Sequence, residues 1–247
     1  GKTFSGKVTV KLIAEKAPTI EDQIISQLDT TGKCPEVNKD GTVNVTDMED
    51  TESLVCSAPD DYGTSYYFRG NVENNWVKFA GYYWRILRIN GDGSIRMIYA
   101  GDASVIDALD NKEEVLKNGY DDGSTDYTQI GTSTFNVSKG DNAYVGYMYG
   151  TPGSSTYEET HANTNDITIK EAVDEWYESH IKGTEYKSYI SDTLFCNDRS
   201  FASSNTGTGV GTSTTYYRTY DTDNHTLYCK NQNDRFTAND DLSEMVI

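Results

Sequence analysis

YYFRGNVENNWVKFAGYYWRILRINGDGSIRMIY, residues Tyr66 to Tyr99, is the most strongly patterned segment of this 247-residue chain. It is rich in aromatic and β-branched residues, which favour strands. Residues 90–93 read Asn-Gly-Asp-Gly, and such residues accept the positive φ angles that tight hairpin turns require. The stretch therefore predicts a twisted antiparallel sheet, with strands at Tyr66–Phe68 and Trp76–Phe79 followed by a hairpin from Tyr82 to Tyr99.

Three arginines, Arg85, Arg88 and Arg96, alternate with large apolar residues in this hairpin. Because successive side chains of a strand point to opposite faces of the sheet, the alternation predicts that part of one face is wet. We interpret the arginines as a solvated face rather than as an anion site. The aromatic residues around Trp84 are expected to hold the fold, with any ligand surface in the loops around them.

A helix is predicted from about Thr168 to Ile181. Thr168–Glu171 has the pattern of a capping box, and the apolar residues that follow recur on one helical face. This apolar stripe includes Trp176 and is expected to pack on the sheet, which gives an α+β fold with one or two packed helices. Two further helical segments are predicted, Val105–Leu116 and Glu185–Ser191. In the first of these, Val105 is expected to face inward.

The four cysteines fall into two local pairs, Cys34 with Cys56 and Cys196 with Cys229. Three connectivities are open, and local pairing is the natural choice, with reduced buried thiols as the alternative. None of the four lies in a Cys-x-x-Cys or Cys/His spacing, so zinc is not predicted. Disulfides would place the chain in an oxidising, extracytoplasmic compartment.

The chain is predicted to divide near residue 60. Residues 1–60 would form an amino-terminal region with a helix, from about Thr19 to Leu28, and a hairpin in a loop that the first disulfide closes. Residues 61–247 would form the α+β domain that contains the sheet and the helix around Trp176.

Oxygen-bearing side chains alternate around a glycine in the loop after Cys34, as they do in calcium-binding loops. The side chains that would supply ligands are Asn38, Asp40, Asn44 and Asp47. The favoured alternative is a hairpin whose strands, at Val37 and Val43–Val45, turn at Asp40–Gly41. The loop occurs once and no apolar helix follows it, which favours the hairpin. No cofactor other than calcium is suggested.

Composition excludes several classes of function. Acidic residues number 39 against 21 basic ones, and the resulting net charge of −18 repels phosphate backbones, so nucleic acid is not a predicted partner. No run of eighteen apolar residues is present, so direct membrane insertion is not predicted. The three histidines, His161, His180 and His225, stand outside any known catalytic motif, so an enzyme is not predicted.

Five segments together resemble a large family of uncharacterised secreted or surface proteins of gut Firmicutes. These segments are Tyr66–Val72, Phe79–Ile86, Ile89–Arg96, Asn142–Gly150 and Phe195–Arg199. The resemblance implies a C-type-lectin-like or sulfatase-modifying-factor-like module, in which a sheet packs on a helix with a Trp-Tyr pair such as Trp176-Tyr177. Some members look prepilin-like at their amino terminus. Members continue with further strands, so the resemblance also implies that the closing strands of a lectin-like domain are missing after Ile247.

The resemblance and the predicted disulfides imply a protein of the extracellular space or of the surface of a Gram-positive bacterium. We expect a non-catalytic adhesion or recognition module that binds an extracellular glycan or protein, because its many tyrosines suit such contacts. The alternative is a structural subunit of a pilus or surface assembly, whose partners are neighbouring subunits. A secreted hydrolase is the third hypothesis. The family supplies no functional residues, so the ligand-binding residues stay unassigned.

Overall fold

The structure, a computed structural model, describes residues 34–44, 54–70, 72–73, 75–119, 126–134, 146–152, 156–197 and 224–237, together with Asp22, Ser26, Tyr144 and Ser154. Antiparallel sheets and a few short helices confirm the predicted α+β class. The predicted first helix lies outside the described residues except for Asp22 and Ser26, which are helical. Within the described ranges, no helix has the length and apolar character needed to span a bilayer.

The strands are β1 (Glu36–Val37), β2 (Val43–Asn44), β3 (Leu54–Pro59), β4 (Thr64–Arg69), β5 (Trp76–Phe79), β6 (Tyr82–Ile89), β7 (Ile95–Asp102), β8 (Met148–Tyr149), β9 (Asn165–Asp166), β10 (Phe195–Cys196), β11 (Asn224–His225) and β12 (Arg235–Phe236). The α-helices are α1 (Ala103–Ile106), α2 (Lys112–Asn118), α3 (Tyr157–Thr160) and α4 (Thr168–Tyr177). A π-helical turn over Glu178–Lys182 continues α4, and 3-10 turns cover Glu185–Tyr189 and Gln232–Asp234.

Strands β3 to β7 form one five-stranded antiparallel sheet. Strand β6 is its centre, since it pairs with β7 along one edge and with β4 and β5 along the other. The predicted hairpin is confirmed, and its turn is closed by the amide of Asn90, which donates to the carbonyl oxygen of Ser94. Strand β3, which the sequence pattern does not predict, pairs with β4 from Leu54 to Pro59. The division predicted near residue 60 falls in the turn between β3 and β4.

The two faces of the β6–β7 hairpin pack against different helices, because side chains alternate along a strand. Tyr83 is buried on one face, in an apolar core with Ile106 of α1 and with Val115 and Leu116 of α2. Its neighbour Tyr82 points to the other face and contacts α4. Helices therefore cover both sides of the sheet at this level.

Trp176 of α4 packs on the aromatic rings of the sheet, as predicted. Its ring centre lies 5.2 Å from those of Tyr82 and Tyr99 and 6.1 Å from that of Trp84. The indole N–H of Trp84 donates to the carbonyl oxygen of Phe79 at 2.9 Å. Edge-on and tilted ring pairs of this kind add stability beyond the area that they bury. These aromatic residues thus hold the helix against the sheet.

Two helical details differ from the predictions. The single helix predicted over Val105–Leu116 is divided into α1 and α2, and Val105 is 48% exposed rather than inward. The reason is the cap at Asp102, whose carboxylate accepts hydrogen bonds from two backbone amides and starts α1 earlier than the apolar pattern suggests. Helix α4 begins after Ile167 without a side-chain cap, so the predicted capping box at Thr168 is wrong.

Both predicted disulfides are present, Cys34–Cys56 and Cys196–Cys229. The predicted hairpin after Cys34 is also confirmed, since β1 and β2 pair across the turn. Strand β11 adds to β2, and β12 pairs with β10. Residues 224–237 therefore join the region of the first disulfide to the region of the second.

Helix α4 carries one buried charge. The side chain of Lys170 is only 4% exposed, and its ammonium group donates to Asp166 at 3.0 Å and to Asp174 at 2.7 Å. A buried ammonium group is tolerated only when it is paired, because leaving water costs the charge its hydration.

We expect Lys170→Ala to lower the free energy of unfolding by about 1.5–3 kcal/mol, because it removes two charged hydrogen bonds. The matched control is Lys182→Ala in the turn that follows α4. It breaks an exposed i,i+4 ion pair with Glu178 and should change stability by less than about 0.5 kcal/mol. Urea unfolding followed by circular dichroism compares the two variants, and equal losses would contradict the importance of burial.

Candidate functional site

A cavity of about 290 Å³ lies where the β6–β7 hairpin meets the chain around the second disulfide. We call it the arginine cavity after Arg88 and Arg96, which line it. Its other charged and polar lining residues are Asp61, Thr226, Lys230, Asn231 and Asp234. Leu194, Phe195, Leu227, Tyr228 and the disulfide Cys196–Cys229 complete the lining.

The register of the hairpin places the two arginines together. Arg88 of β6 and Arg96 of β7 are cross-strand partners, and the register shifts just before them, between Ile86 and Arg88. Such irregularities change the face to which the following side chains point. Like charges directly opposite each other destabilise a sheet, so this pair is costly for the fold.

The hairpin arginines, which the sequence pattern assigns to a solvated face, are each partly buried. The guanidinium group of Arg85 donates to the carbonyl oxygens of Leu116 and Lys117 at the end of α2. It also donates to the carbonyl oxygen of Val72 at 2.9 Å. Unpaired carbonyl oxygens at helix ends need donors, so Arg85 has a structural role.

Arg88 and Arg96 donate to uncharged oxygen atoms. Nε of Arg88 donates to the side chain of Asn90 at 2.7 Å, and Nη1 donates to the carbonyl oxygen of Leu227 at 3.1 Å. Arg96 donates to the carbonyl oxygen of Leu194, and its guanidinium carbon lies 4.3 Å from the ring centre of Phe195. Nε of Arg96 is buried and finds no hydrogen-bond acceptor among the described residues.

Neither guanidinium group forms an ion pair within the described part of the chain. Two nearby carboxylates are engaged elsewhere. Asp60 accepts from the amides of Tyr62, Gly63 and Gly91 at 2.8–2.9 Å, and it thereby ties the β3–β4 turn to the β6–β7 turn. Asp61 accepts from the amide of Cys229 at 2.8 Å and pairs with Arg235 at 2.9 Å.

Burial lowers the pKa values of both arginines. It lowers the pKa of the Arg96 guanidinium to about 10, and the adjacent positive charge of Arg88 lowers this pKa as well. Burial also lowers the pKa of Arg88, against the opposing effect of Asp60 and Asp61. Both groups still carry their charge at neutral pH, so the cavity holds two positive charges, with the carboxylates of Asp60 and Asp92 acting on both of them from nearby.

Three of the four residues predicted as calcium ligands, Asn38, Asp40 and Asn44, lie in the first hairpin rather than among the lining residues of the arginine cavity. Asp40 accepts from the amide of Thr42 at 3.1 Å and from its hydroxyl group at 2.7 Å, and these bonds lower the pKa of the Asp40 carboxyl. Asn38 donates to the same hydroxyl at 2.9 Å, and Asn44 belongs to β2. The fourth predicted ligand, Asp47, lies outside the described residues, so calcium binding stays a prediction.

The first hairpin nevertheless adjoins the cavity through Tyr228, whose hydroxyl group donates to the carbonyl oxygen of Asp40 at 2.9 Å. In the ranges that the structure describes, no three His, Cys, Asp or Glu side chains are grouped as metal ligands.

Comparison of this chain with protein-family models, with curated proteins and with solved structures finds no match. The arginine cavity is therefore interpreted from its own chemistry. The sequence pattern singles out both arginines but predicts that they face solvent. It does not predict their proximity to Asp61, Phe195 or Tyr228, because these residues are distant in the chain and no local pattern relates them.

Proposed function

We propose that this protein is a non-catalytic adhesion or recognition module of the extracellular space or of a Gram-positive cell surface, and that it binds a glycan or a protein. The two disulfides support a location in an oxidising compartment, because disulfides form and persist there. We also propose that the protein has a C-type-lectin-like architecture and is related to secreted proteins of gut Firmicutes. The packing of the Trp176 helix on the sheet supports both points.

The observation that carries the proposal is the arginine cavity. Its lining combines two arginines that form no ion pair among the described residues with aromatic rings and with groups that can bind hydroxyls, which suits ligand recognition. It includes no histidine, and both of its cysteines are in a disulfide. The lining therefore holds no Ser–His or Cys–His pair of the kind that covalent hydrolases use.

The test is a binding screen of the protein on glycan arrays, mucin and extracellular-matrix proteins. We expect saturable binding to at least one of these surfaces, and weaker binding after heat denaturation of the protein. Silence on all three surfaces would contradict the proposal. Regular filaments in electron micrographs of the purified protein would instead favour the structural subunit of a surface assembly.

A further inference from the structure

We propose that the arginine cavity binds a monosaccharide unit that carries a carboxylate, with the carboxylate held between Arg88 and Arg96. This inference deepens the proposed function and rests on it, because it names the ligand class of a recognition site. The ligand would enter from solvent and would bring a carboxylate that pairs directly with the two guanidinium groups, which no carboxylate of the described residues does.

The first step of the argument concerns charge. The chain has a net charge of −18, yet it places two guanidinium groups opposite each other and leaves both without an ion pair in the described ranges. Their neighbour Lys230 adds a third positive charge to the lining. A carboxylate can accept paired, charge-assisted hydrogen bonds from a guanidinium group, and it would also relieve the repulsion between Arg88 and Arg96.

Two carboxylates also line the cavity. Asp61 attracts Arg88 through space, but neither carboxylate forms an ion pair with Arg88 or Arg96. Asp61 is engaged by Arg235 and by the amide of Cys229. Asp234 is fully buried. Arg96 also has an unused donor, since its Nε atom is buried without a hydrogen-bond acceptor among the described residues. A buried donor of this kind is costly until an acceptor binds it.

The second step concerns the rest of the ligand. A volume of about 290 Å³ is at the small end of the range for small-molecule sites and suits one sugar ring. The ring of Tyr228 offers an apolar surface to the C–H groups of a sugar, while Thr226, Lys230 and Asn231 offer partners for hydroxyl groups. The carboxylate of an acidic peptide would come with an apolar or amide chain that uses fewer of these partners, so the lining favours a sugar.

The experiment measures binding of small sugars to the whole protein by calorimetry and by ligand-detected NMR. The probes are methyl glucuronoside and a methyl sialoside, each compared with its own methyl ester, which removes only the charge. We expect at least one free acid to bind about tenfold or more tightly than its ester, which is the loss expected for a charged hydrogen bond. This comparison uses the unmodified protein and does not depend on whether a variant folds.

Variants then locate the site. Arg96→Gln and Arg88→Gln should each abolish the preference for the free acid, Arg96→Lys should restore part of it, and Lys182→Ala, outside the cavity, should leave it unchanged. Equal binding of acid and ester, stronger binding of sulfated sugars or of peptide carboxylates, or no binding of either probe would overturn the inference. If neutral glycans or proteins bind and Arg96→Gln does not affect them, the recognition function stands and only this ligand class fails.

Discussion

Gly91→Ala is expected to destabilise the protein by about 3 kcal/mol or more, because the new methyl group would overlap with backbone that cannot move aside easily. A Cβ atom at Gly91 would lie 2.6 Å from the Cα atom of Gly63 and closer still to the amide nitrogen of that residue. Asp60 clamps the same two turns together by accepting from both amides. The expected fall in melting temperature is about 6–12 °C for a chain of this size.

The matched control is Gly183→Ala. Gly183 has a φ angle of −83°, and a Cβ atom there would meet no described atom within 4 Å apart from those of the adjoining chain. Alanine should therefore fit there, with stability unchanged or raised by up to about 1 kcal/mol. Differential scanning calorimetry of the two variants gives the comparison. If Gly91→Ala melts with the wild-type protein, the close packing of the two turns is incorrect.

Replacing both cysteines of the second disulfide, Cys196→Ser with Cys229→Ser, is expected to cost about 2–5 kcal/mol of stability. The corresponding double variant of Cys34 and Cys56 should cost a similar amount. The bridged residues are 33 and 22 positions apart, respectively. Since the entropy of loop closure depends only weakly on length, this difference accounts for only about 0.4 kcal/mol.

The two double variants should differ in where the chain opens. Cys196 and Cys229 line the arginine cavity. Strand β11, in the segment that ends with β12, pairs with β2 over only two residues. Limited proteolysis should therefore cut the second-disulfide variant early between residues 224 and 237 and cut the first-disulfide variant there later. The same order of cleavage in both variants would contradict this local role.

Local chemistry made the hairpin and the aromatic packing of α4 predictable. The Asn-Gly-Asp-Gly turn of residues 90–93 specifies a hairpin by itself, and Trp176 lies in an apolar stripe with helical spacing. Strand β3 lacks such a signal, because it ends in Ser57, Ala58 and Pro59, which have weak strand propensity. Its conformation follows from its pairing with β4, which a local pattern does not encode.

The arginine cavity could not be predicted for a related reason. Arg96 meets the carbonyl oxygen of a residue 98 positions away, and Asp61 pairs with Arg235 at a separation of 174 positions. The direction of Arg88 depends on a register shift that alternation alone does not reveal. A simple two-residue period predicts that the arginines share one wet face. In the structure, Arg85 donates to carbonyl oxygens at the end of α2, and Arg88 and Arg96 line the cavity.

The two local disulfides also set a mechanical limit on the protein. A pulling force applied outside the bridged segments passes through the sulfur atoms, so the chain between each pair of cysteines bears no load. The bridges span 22 and 33 positions. At about 3.3–3.6 Å per residue, together they withhold roughly 190 Å of chain length from extension. Under shear, the protein would thus lengthen about a fifth less than its residue count allows, and Cys196 and Cys229, which both line the arginine cavity, would stay together.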